Sequence, residues 1–272
     1  VTLRTFNRNF PGRTGTKGDE SYLVSPETAC AAALAGCIMP AGKLGLAYPE
    51  VENPSQFLID DSMVILPPEN GEGVEIIRKP TIGKPPVNGP LPDAIDGVAV
   101  IKTPDKTSTD DIMPAGIHLK HRSNIPEYAK VVFERFNEAG KETFAQRAAK
   151  VRDAGKHGII IGRDSYGQGS SREHAAICPM YLGIKVLIAM AIERIHAANL
   201  VNFGIVPLTF ADKSDYDKIA EGDSIRIPQI REALTAGAPV SATVVPASGA
   251  APFEIKLNYN LTDEDIKIIL AG

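Results

Sequence analysis

The stretch Gly158-Ile-Ile-Ile-Gly162, followed by Asp164-Ser-Tyr-Gly-Gln-Gly-Ser-Ser-Arg-Glu-His174 and then Ala175-Ala-Ile177, decides the reading of the fold. Ile159 to Ile161 is a short apolar β-branched run, the pattern of a buried strand. Ala175 to Ile177 reads as helix. The segment is therefore a strand–loop–helix junction, and in α/β folds the loop of such a junction is where chemistry sits. Gly162, Gly167 and Gly169 permit backbone conformations and close approaches that a Cβ would forbid. Ser170 with Glu173 three residues on fits a capping box, which predicts a helix starting near Ser171. Two hydroxyls and Arg172 would then stand at the positive end of a helix, a ready-made anion site. The plainer reading is a capped helix after a buried strand. Capping, however, uses one Ser, not Ser-Ser-Arg behind two glycines.

Outward from this junction, residues 93–272 read as one α/β unit. Asp96 to Ile101, Ile159 to Ile161, Lys185 to Met190, Ile205 to Phe210, Ser224 to Pro228 and Val240 to Val245 carry strand patterns. Pro126 to Asn137, Lys141 to Ala154, Ala191 to Phe203 and a segment opened by Leu261-Thr-Asp-Glu264 carry helix patterns. Strands alternate with helices early and cluster late, so α/β with some antiparallel sheet is expected.

Upstream, Met39 to Pro92 is rich in Pro and Gly, with two strand-like runs, Met63 to Leu66 and Val74 to Ile77. This composition predicts an inter-domain linker. Before it, Tyr22-Leu-Val reads as a short strand. Ser25-Pro26-Glu27 gives an N-cap, an N1 proline and a first-turn acid, Thr28 to Ala35 continues as helix, and Gly36 ends it. The expected organisation is a short α/β remnant over 1–44, a linker over 45–92 and the larger unit over 93–272.

The totals narrow the function classes. Of 272 residues, 43% are hydrophobic and 23% charged, an ordinary globular balance. The formal net charge of −4 provides no global basic field, so no nucleic acid partner is expected. No apolar run reaches membrane-spanning length and no signal-peptide pattern opens the chain, so no membrane partner is expected either. Three unevenly spaced cysteines, Cys30, Cys37 and Cys178, fit a reducing compartment, read here as cytoplasmic. His118, His121, His157 and His196 show no metal-ligand spacing.

Tyr166-Gly-Gln-Gly-Ser-Ser-Arg-Glu-His174 resembles the active-site loop of the swivelling domain of the aconitase superfamily. The resemblance implies that Ser170 is the catalytic base, that Arg172 binds a substrate carboxylate and that Ser171 is a further substrate contact. Asn7-Arg-Asn-Phe-x-Gly12-Arg13 resembles the substrate-binding stretch of the family's large domain, which marks Asn7, Arg8 and Arg13. Thr107-Ser-Thr-Asp-Asp-Ile-Met-Pro-Ala-Gly116 with Leu119-Lys-His-Arg122 resembles a third family stretch. It places Asp110 near the proton and hydroxyl chemistry and makes Arg122 a substrate-binding residue. Asp111 stands where better-known members have His. The implied fold is a swivelling β/β/α-type domain of mixed sheet with flanking helices, preceded by a linker and a short α/β remnant.

The implied activity is that of a hydro-lyase isomerising citrate to isocitrate through cis-aconitate. Four arginines, Arg8, Arg13, Arg122 and Arg172, suit a small tricarboxylic acid, because guanidinium forks bind carboxylates bidentately. Homoaconitase, 2-methylisocitrate dehydratase and 3-isopropylmalate dehydratase activities are the alternatives. The family uses a [4Fe-4S] cluster held by three cysteines, two of them as Cys-x-x-Cys. Cys30, Cys37 and Cys178 lack that spacing. No cluster is therefore expected on this chain, and cluster-binding N-terminal domains are the expected partner. A non-catalytic RNA- or partner-binding module is the reading from another class, and the charge balance counts against it. A serine hydrolase would need a Gly-x-Ser-x-Gly elbow, and Ser170 and Ser171 do not lie in one.

Overall fold

A computed structural model describes residues 1–7, 18–48 and 50–272. The chain divides into two compact units, Val1–Gly73 and Val74–Gly272.

In the first unit, β1 (Thr2–Arg4) pairs in parallel with β2 (Ser21–Leu23). Helix α1 (Pro26–Ala35) starts as its residues dictate: the Ser25 side chain accepts from the Thr28 amide, Pro26 occupies the first turn, and Gly36 closes the helix in the left-handed region at φ 69°. Beyond the short 3₁₀ turn at Ala41–Lys43, the described residues of this unit form no helix or strand. The strand pattern at Met63 to Leu66 therefore does not become a strand. The same holds for Val74 to Ile77 at the start of the second unit. Both runs are exposed, with Ile65 at 95% and Ile77 at 83%. A strand pattern alone cannot make a strand; it needs a neighbouring strand to pair its N–H and C=O groups, and among the described residues neither run has one.

The second unit is built on a closed barrel of seven strands in the order β3-β4-β5-β6-β9-β8-β7. These are β3 (Ile95–Lys102), β4 (His157–Gly162), β5 (Ile184–Ala189), β6 (Val206–Phe210), β7 (Ser224–Ile227), β8 (Val240–Val245) and β9 (Phe253–Asn258). Strands β3 to β6 run parallel to one another, and the remaining pairings, including the β3–β7 closure, are antiparallel. The mixed sheet with helices expected from the alternation of elements is thus present, and it closes on itself. Strand β9 and the helix Ile230–Ala236 lay outside the sequence reading.

Side-chain alternation sorts the strand residues onto two cores. Ile159 and Ile161 of β4 point into the barrel with Val186, Ile188, Leu208 and Ile225. Ile160 points outward with Leu187, Tyr166, Phe133 and Phe144, under the helices. Strand β4 is buried on both faces, which is why it reads as an unbroken apolar run. Each fully buried Ile contributes about 1.5–3 kcal/mol.

The helices around the barrel are α2 (Thr109–Ile112), α3 (Ile125–Tyr128), α4 (Phe144–Asp153), α5 (His174–Tyr181), α6 (Arg194–Asn202), α7 (Asp215–Lys218), α8 (Ile230–Ala236) and α9 (Asp263–Ala271). Capping boxes start α2 (Ser108 with Asp111), α4 (Thr143 with Gln146) and α9 (Thr262 with Asp265). The helix expected over Pro126 to Asn137 breaks after Tyr128 into 3₁₀ turns, with Phe133 at φ 53° between them. Burial of Phe133 against Phe144 at 4.8 Å decides this, because a continuous helix would not hold the ring there.

Residues 83–91 are strapped onto the barrel unit. The buried Lys185 ammonium donates to Asn88 Oδ1 (3.1 Å) and to the Gly89 carbonyl (2.8 Å), and Arg231 donates to the Leu91 carbonyl at 2.6 Å. Leu91 itself is buried.

Candidate active site

Three loops meet at the C-terminal ends of the parallel strands, the end at which open α/β sheets place ligands. They follow β3, β4 and β5. The β4 loop lies between the other two and is pinned to both by backbone. Toward the β3 loop, the Gly167 amide donates to the Thr107 carbonyl at 2.8 Å, and the Thr109 amide donates to the Gln168 carbonyl at 2.8 Å. Toward the β5 loop, the Tyr166 amide donates to Ala191 at 2.9 Å, and the Glu193 amide donates to Tyr166 at 2.9 Å. Two short parallel bridges result, Ser108 with Gln168 and Tyr166 with Ile192. Such a loop holds its shape in the way a strand does.

Gly167 is the residue this arrangement cannot replace. It sits at φ 84°, and a Cβ there would overlap the ring of His196. Gly162 is close behind, where a Cβ would come within 2.9 Å of the Tyr166 ring and 3.0 Å of the Ala189 Cβ.

The helix after the loop starts three residues later than its sequence suggests. Helix α5 begins at His174, its N-cap is Glu173, and no side chain caps it. The Ser170–Glu173 capping box does not form. Backbone commitments explain this: the Ser170 carbonyl accepts from the Thr109 hydroxyl at 3.0 Å, which fixes Ser170 on the β3 loop instead of on a helix start. The Ser170 hydroxyl is consequently not spent on capping. It is exposed, 3.5 Å from the Thr109 hydroxyl. Ser171 is exposed beside it.

Arg172 turns back toward helix α2. Its Nη1 donates to Asp110 Oδ1 at 2.5 Å, to the Met113 carbonyl at 2.6 Å and to the Thr109 carbonyl at 3.5 Å. The side chain is 17% exposed, whereas that of Asp110 is 64% exposed. Nε and Nη2 have no partner among the described residues, so one edge of the guanidinium stays open.

Arg122 is exposed at the end of the 3₁₀ segment Gly116–His121, and its guanidinium has no partner among the described residues. The backbone of Arg122 is tied to helix α5, because the His174 imidazole bonds its carbonyl at 2.9 Å. His174 also lies against Tyr128, with ring centroids 5.2 Å apart. His174 thus joins the Arg122 segment to the start of α5. Asp111 is the N3 residue of the α2 capping box, with Arg135 paired to its other oxygen. Burial works against its ionisation, but the Ser108 amide and hydroxyl and the Arg135 guanidinium outweigh it and hold the carboxyl below its usual range.

The structure therefore brings Ser170, Ser171, Arg172 and Asp110 together, with Arg122 on the neighbouring segment. Asn7 lies in the first unit and is exposed. Arg8 and Arg13 lie outside the described residues. Thr109, which fixes Ser170, escaped the sequence reading although it lies within the Thr107–Gly116 stretch. So did His196 and Asn199, which wall a cleft of about 180 Å³ beside Ser170.

Residues 103–213 match the family model for the aconitase C-terminal domain. Over 97% of its length, the chain is also similar to relatives named aconitate hydratase, mitochondrial. Identity is 31% with that of Candida albicans and 30% with those of Aspergillus fumigatus and Saccharomyces cerevisiae. The chain belongs to the aconitase superfamily. It spans 38% of the length of each of these three relatives. A crystal structure of a 3-isopropylmalate dehydratase from Methanocaldococcus jannaschii is similar at 27% identity and a TM-score of 0.45, over 63% of this chain and 85% of that one.

The aconitase family is associated with a [4Fe-4S] cluster, and the residues described here do not fit one. Among them, no three His, Cys, Asp or Glu side chains converge on a metal position. Cys30 and Cys37 are exposed, and Cys178 is buried, where desolvation pushes its thiol up to about 12, the wrong direction for a thiolate ligand. Among the described residues no helix is long and apolar enough to cross a membrane.

Proposed function

We propose that this chain forms part of an aconitase-type hydro-lyase that interconverts citrate and isocitrate through cis-aconitate. The observation that supports it best is the shared rim of the β4 loop. There an uncommitted Ser170 hydroxyl stands two residues from a guanidinium with one open edge. Dehydration of a hydroxy acid begins with a proton leaving a carbon next to a carboxylate. Ser170 Oγ takes that proton. Arg172 holds the carboxylate through Nε and Nη2, in the bidentate geometry a guanidinium favours. Charge builds on that carboxylate as the proton leaves, so a fixed cation there favours the transition state over the ground state.

Asp110 orients Arg172 through Nη1 and lies close to the reacting groups. Arg122 supplies a second cation and Ser171 a further hydroxyl, and Asn7, Arg8 and Arg13 keep the substrate-binding roles that the family resemblance implies. The step that expels hydroxide is assigned to no residue of this chain. The [4Fe-4S] cluster belongs in this reading to cluster-binding domains that act as the chain's partner.

A tricarboxylate needs one more cationic anchor than a dicarboxylate carrying an alkyl group. An isopropyl group beside Lys120 and Arg122 would desolvate charge with nothing to pair it, which is costly. Two measurements on the enzyme assembled with its cluster-binding partner test the reading. Ser170→Ala should lower kcat far more than it raises KM, since a base acts in the transition state. The ratio of kcat/KM for isocitrate over 3-isopropylmalate should exceed one, and a near-normal kcat in Ser170→Ala removes Ser170 from the base role.

A further inference from the structure

Behind Ser170 lies the cleft of about 180 Å³ between the β4 loop and the start of α6. Its floor is unusual for a folded interior. His196 is 2% exposed, yet among the described residues neither ring nitrogen has a hydrogen-bond partner, and Asn199 Nδ2 is buried and equally unpartnered there. Buried polar atoms are normally paired, and leaving one unpaired costs about 1–3 kcal/mol. Three such atoms around one cleft mark a place for a polar ligand. The cleft sits at the N-terminus of α6, a nine-residue helix whose first-turn amides no side chain caps. Burial holds the His196 imidazole at a pKa of about 4, so it is neutral and offers one N–H. Arg194 stands exposed on the lip. Arg194, Asn199 Nδ2, the first-turn amides and one ring nitrogen of His196 donate, and the second ring nitrogen of the neutral imidazole accepts. One carboxylate, Glu193, shares the rim, and the Ser165 hydroxyl already engages it.

We propose that this cleft takes a carboxylate group of the substrate, bound by the His196 ring N–H, Asn199 Nδ2 and the first-turn amides of α6. The proposal rests on the function argued above and adds a subsite to it. The size is sufficient, since a water takes about 30 Å³ of liquid volume and the cleft of about 180 Å³ has room for a carboxylate with several companion waters. The position is suitable as well. A substrate anchored there and on Arg172 would span Ser170, so the C–H to be broken would lie between its two held carboxylates.

The test is a titration of the 272-residue chain, labelled with ¹⁵N, with citrate. Long-range ¹H–¹⁵N spectra resolve the rings of its five histidines, and the Arg172 Nε signal reports the neighbouring subsite. Citrate should shift the His196 ring nitrogens and fix one tautomer. His196→Phe, which keeps a ring beside Gly167 and Tyr166, should weaken citrate binding about tenfold or more, a loss equivalent to about 1.4 kcal/mol. Asn199→Leu should do the same, and it keeps the test valid if His196→Phe fails to fold.

If citrate moves Arg172 Nε but leaves His196 unmoved, the subsite is refuted and the hydro-lyase reading stands. If 3-isopropylmalate moves Arg172 Nε and citrate does not, the tricarboxylate reading fails instead. Unchanged citrate affinity in both variants, or no His196 response at saturating millimolar citrate, overturns the proposal and leaves the cleft to water.

Discussion

Acidification should destabilise the barrel unit through His196, and the size of the effect follows from its burial. Desolvation depresses its pKa from an ordinary 6.5 to about 4 in the folded state. The folded state then binds fewer protons than the unfolded one, so stability rises with pH between these values. The contribution is complete above pH 6.5, declines as the pH falls toward 4, and is fully lost below that. A 2.5-unit difference corresponds to about 3 kcal/mol in all, of which about 2 kcal/mol is lost between pH 7.5 and pH 5. His157 acts in the same direction: burial lowers its pKa first, Lys185 adds to this, and Asp96 opposes it. The wild-type slope therefore mixes both histidines, and the informative quantity is the difference from His196→Phe. That variant keeps an aromatic ring near Tyr166, whose centroid lies 5.4 Å from the His196 ring, and cannot titrate. Urea unfolding at pH 7.5 and pH 5, with m-values checked for constancy, gives both stabilities. Wild type should lose about 2 kcal/mol more than the variant over this interval. Equal losses in the two proteins would show that His196 is hydrated and freely protonated, and the buried cleft floor would then be wrong.

Gly167→Ala should destabilise the unit by about 2 kcal/mol or more, since it combines a left-handed φ with overlap on the His196 ring; a change under about 0.5 kcal/mol in urea unfolding would mean the loop repacks freely. Asp110→Asn should release Arg172 and tighten binding of a non-reacting tricarboxylate while lowering turnover. Loss of both binding and turnover would assign Asp110 to substrate contact instead of to Arg172. Limited proteolysis should cut first between residues 50 and 82, where the described chain has no helix or strand; earlier cuts within 93–272 would contradict the division into a linker and a barrel unit.

How much of this was legible in the sequence depended on what each residue's conformation answers to. Strands β4 and β5 were readable because burial on both faces favours short β-branched apolar runs such as Ile159 to Ile161. Helix α1 was readable because Ser25, Pro26 and Gly36 each fix a terminus through local chemistry alone. The start of α5 was not. Ser170 and Glu173 have the spacing of a capping box, but the Thr109 hydroxyl, 61 residues away in sequence, holds the Ser170 carbonyl out of the helix. A local signal lost to a tertiary hydrogen bond. Met63 to Leu66 failed for the opposite reason, as a strand pattern with no neighbour to pair. Asp111 was singled out as a departure from a family motif, and its role is equally local, because it caps α2 and pairs with Arg135. His196 could be found only in three dimensions, since a lone His in a helix carries no spacing signal.

In the proposed base role of Ser170, the late start of α5 changes how its hydroxyl can be activated. A serine at a helix N-cap spends its hydroxyl as an acceptor for helix amides and gains the positive end of the dipole. Ser170 stands four residues before the first helical residue, beyond the first turn over which that dipole acts. Its hydroxyl is free but unassisted by α5. The stabilisation of a serine oxygen that has lost its proton must come from elsewhere. Thr109 Oγ1 at 3.5 Å is near but already donates to the Ser170 carbonyl, so it cannot also serve the hydroxyl with that proton. Arg172 is the nearest cation in sequence, and Asp110 neutralises one edge of it. A substrate carboxylate on the open edge would add a second negative charge to the same guanidinium and weaken its pull on Ser170. Arg172 therefore cannot both hold the substrate and be the main source of Ser170's activation. A second cation is required on the opposite side of the serine. Among the described residues, Arg122, on the segment that His174 ties to the start of α5 and with no side-chain partner of its own there, is the candidate for that second cation, whereas the α6 cleft donors would face the same competition from a bound carboxylate as Arg172.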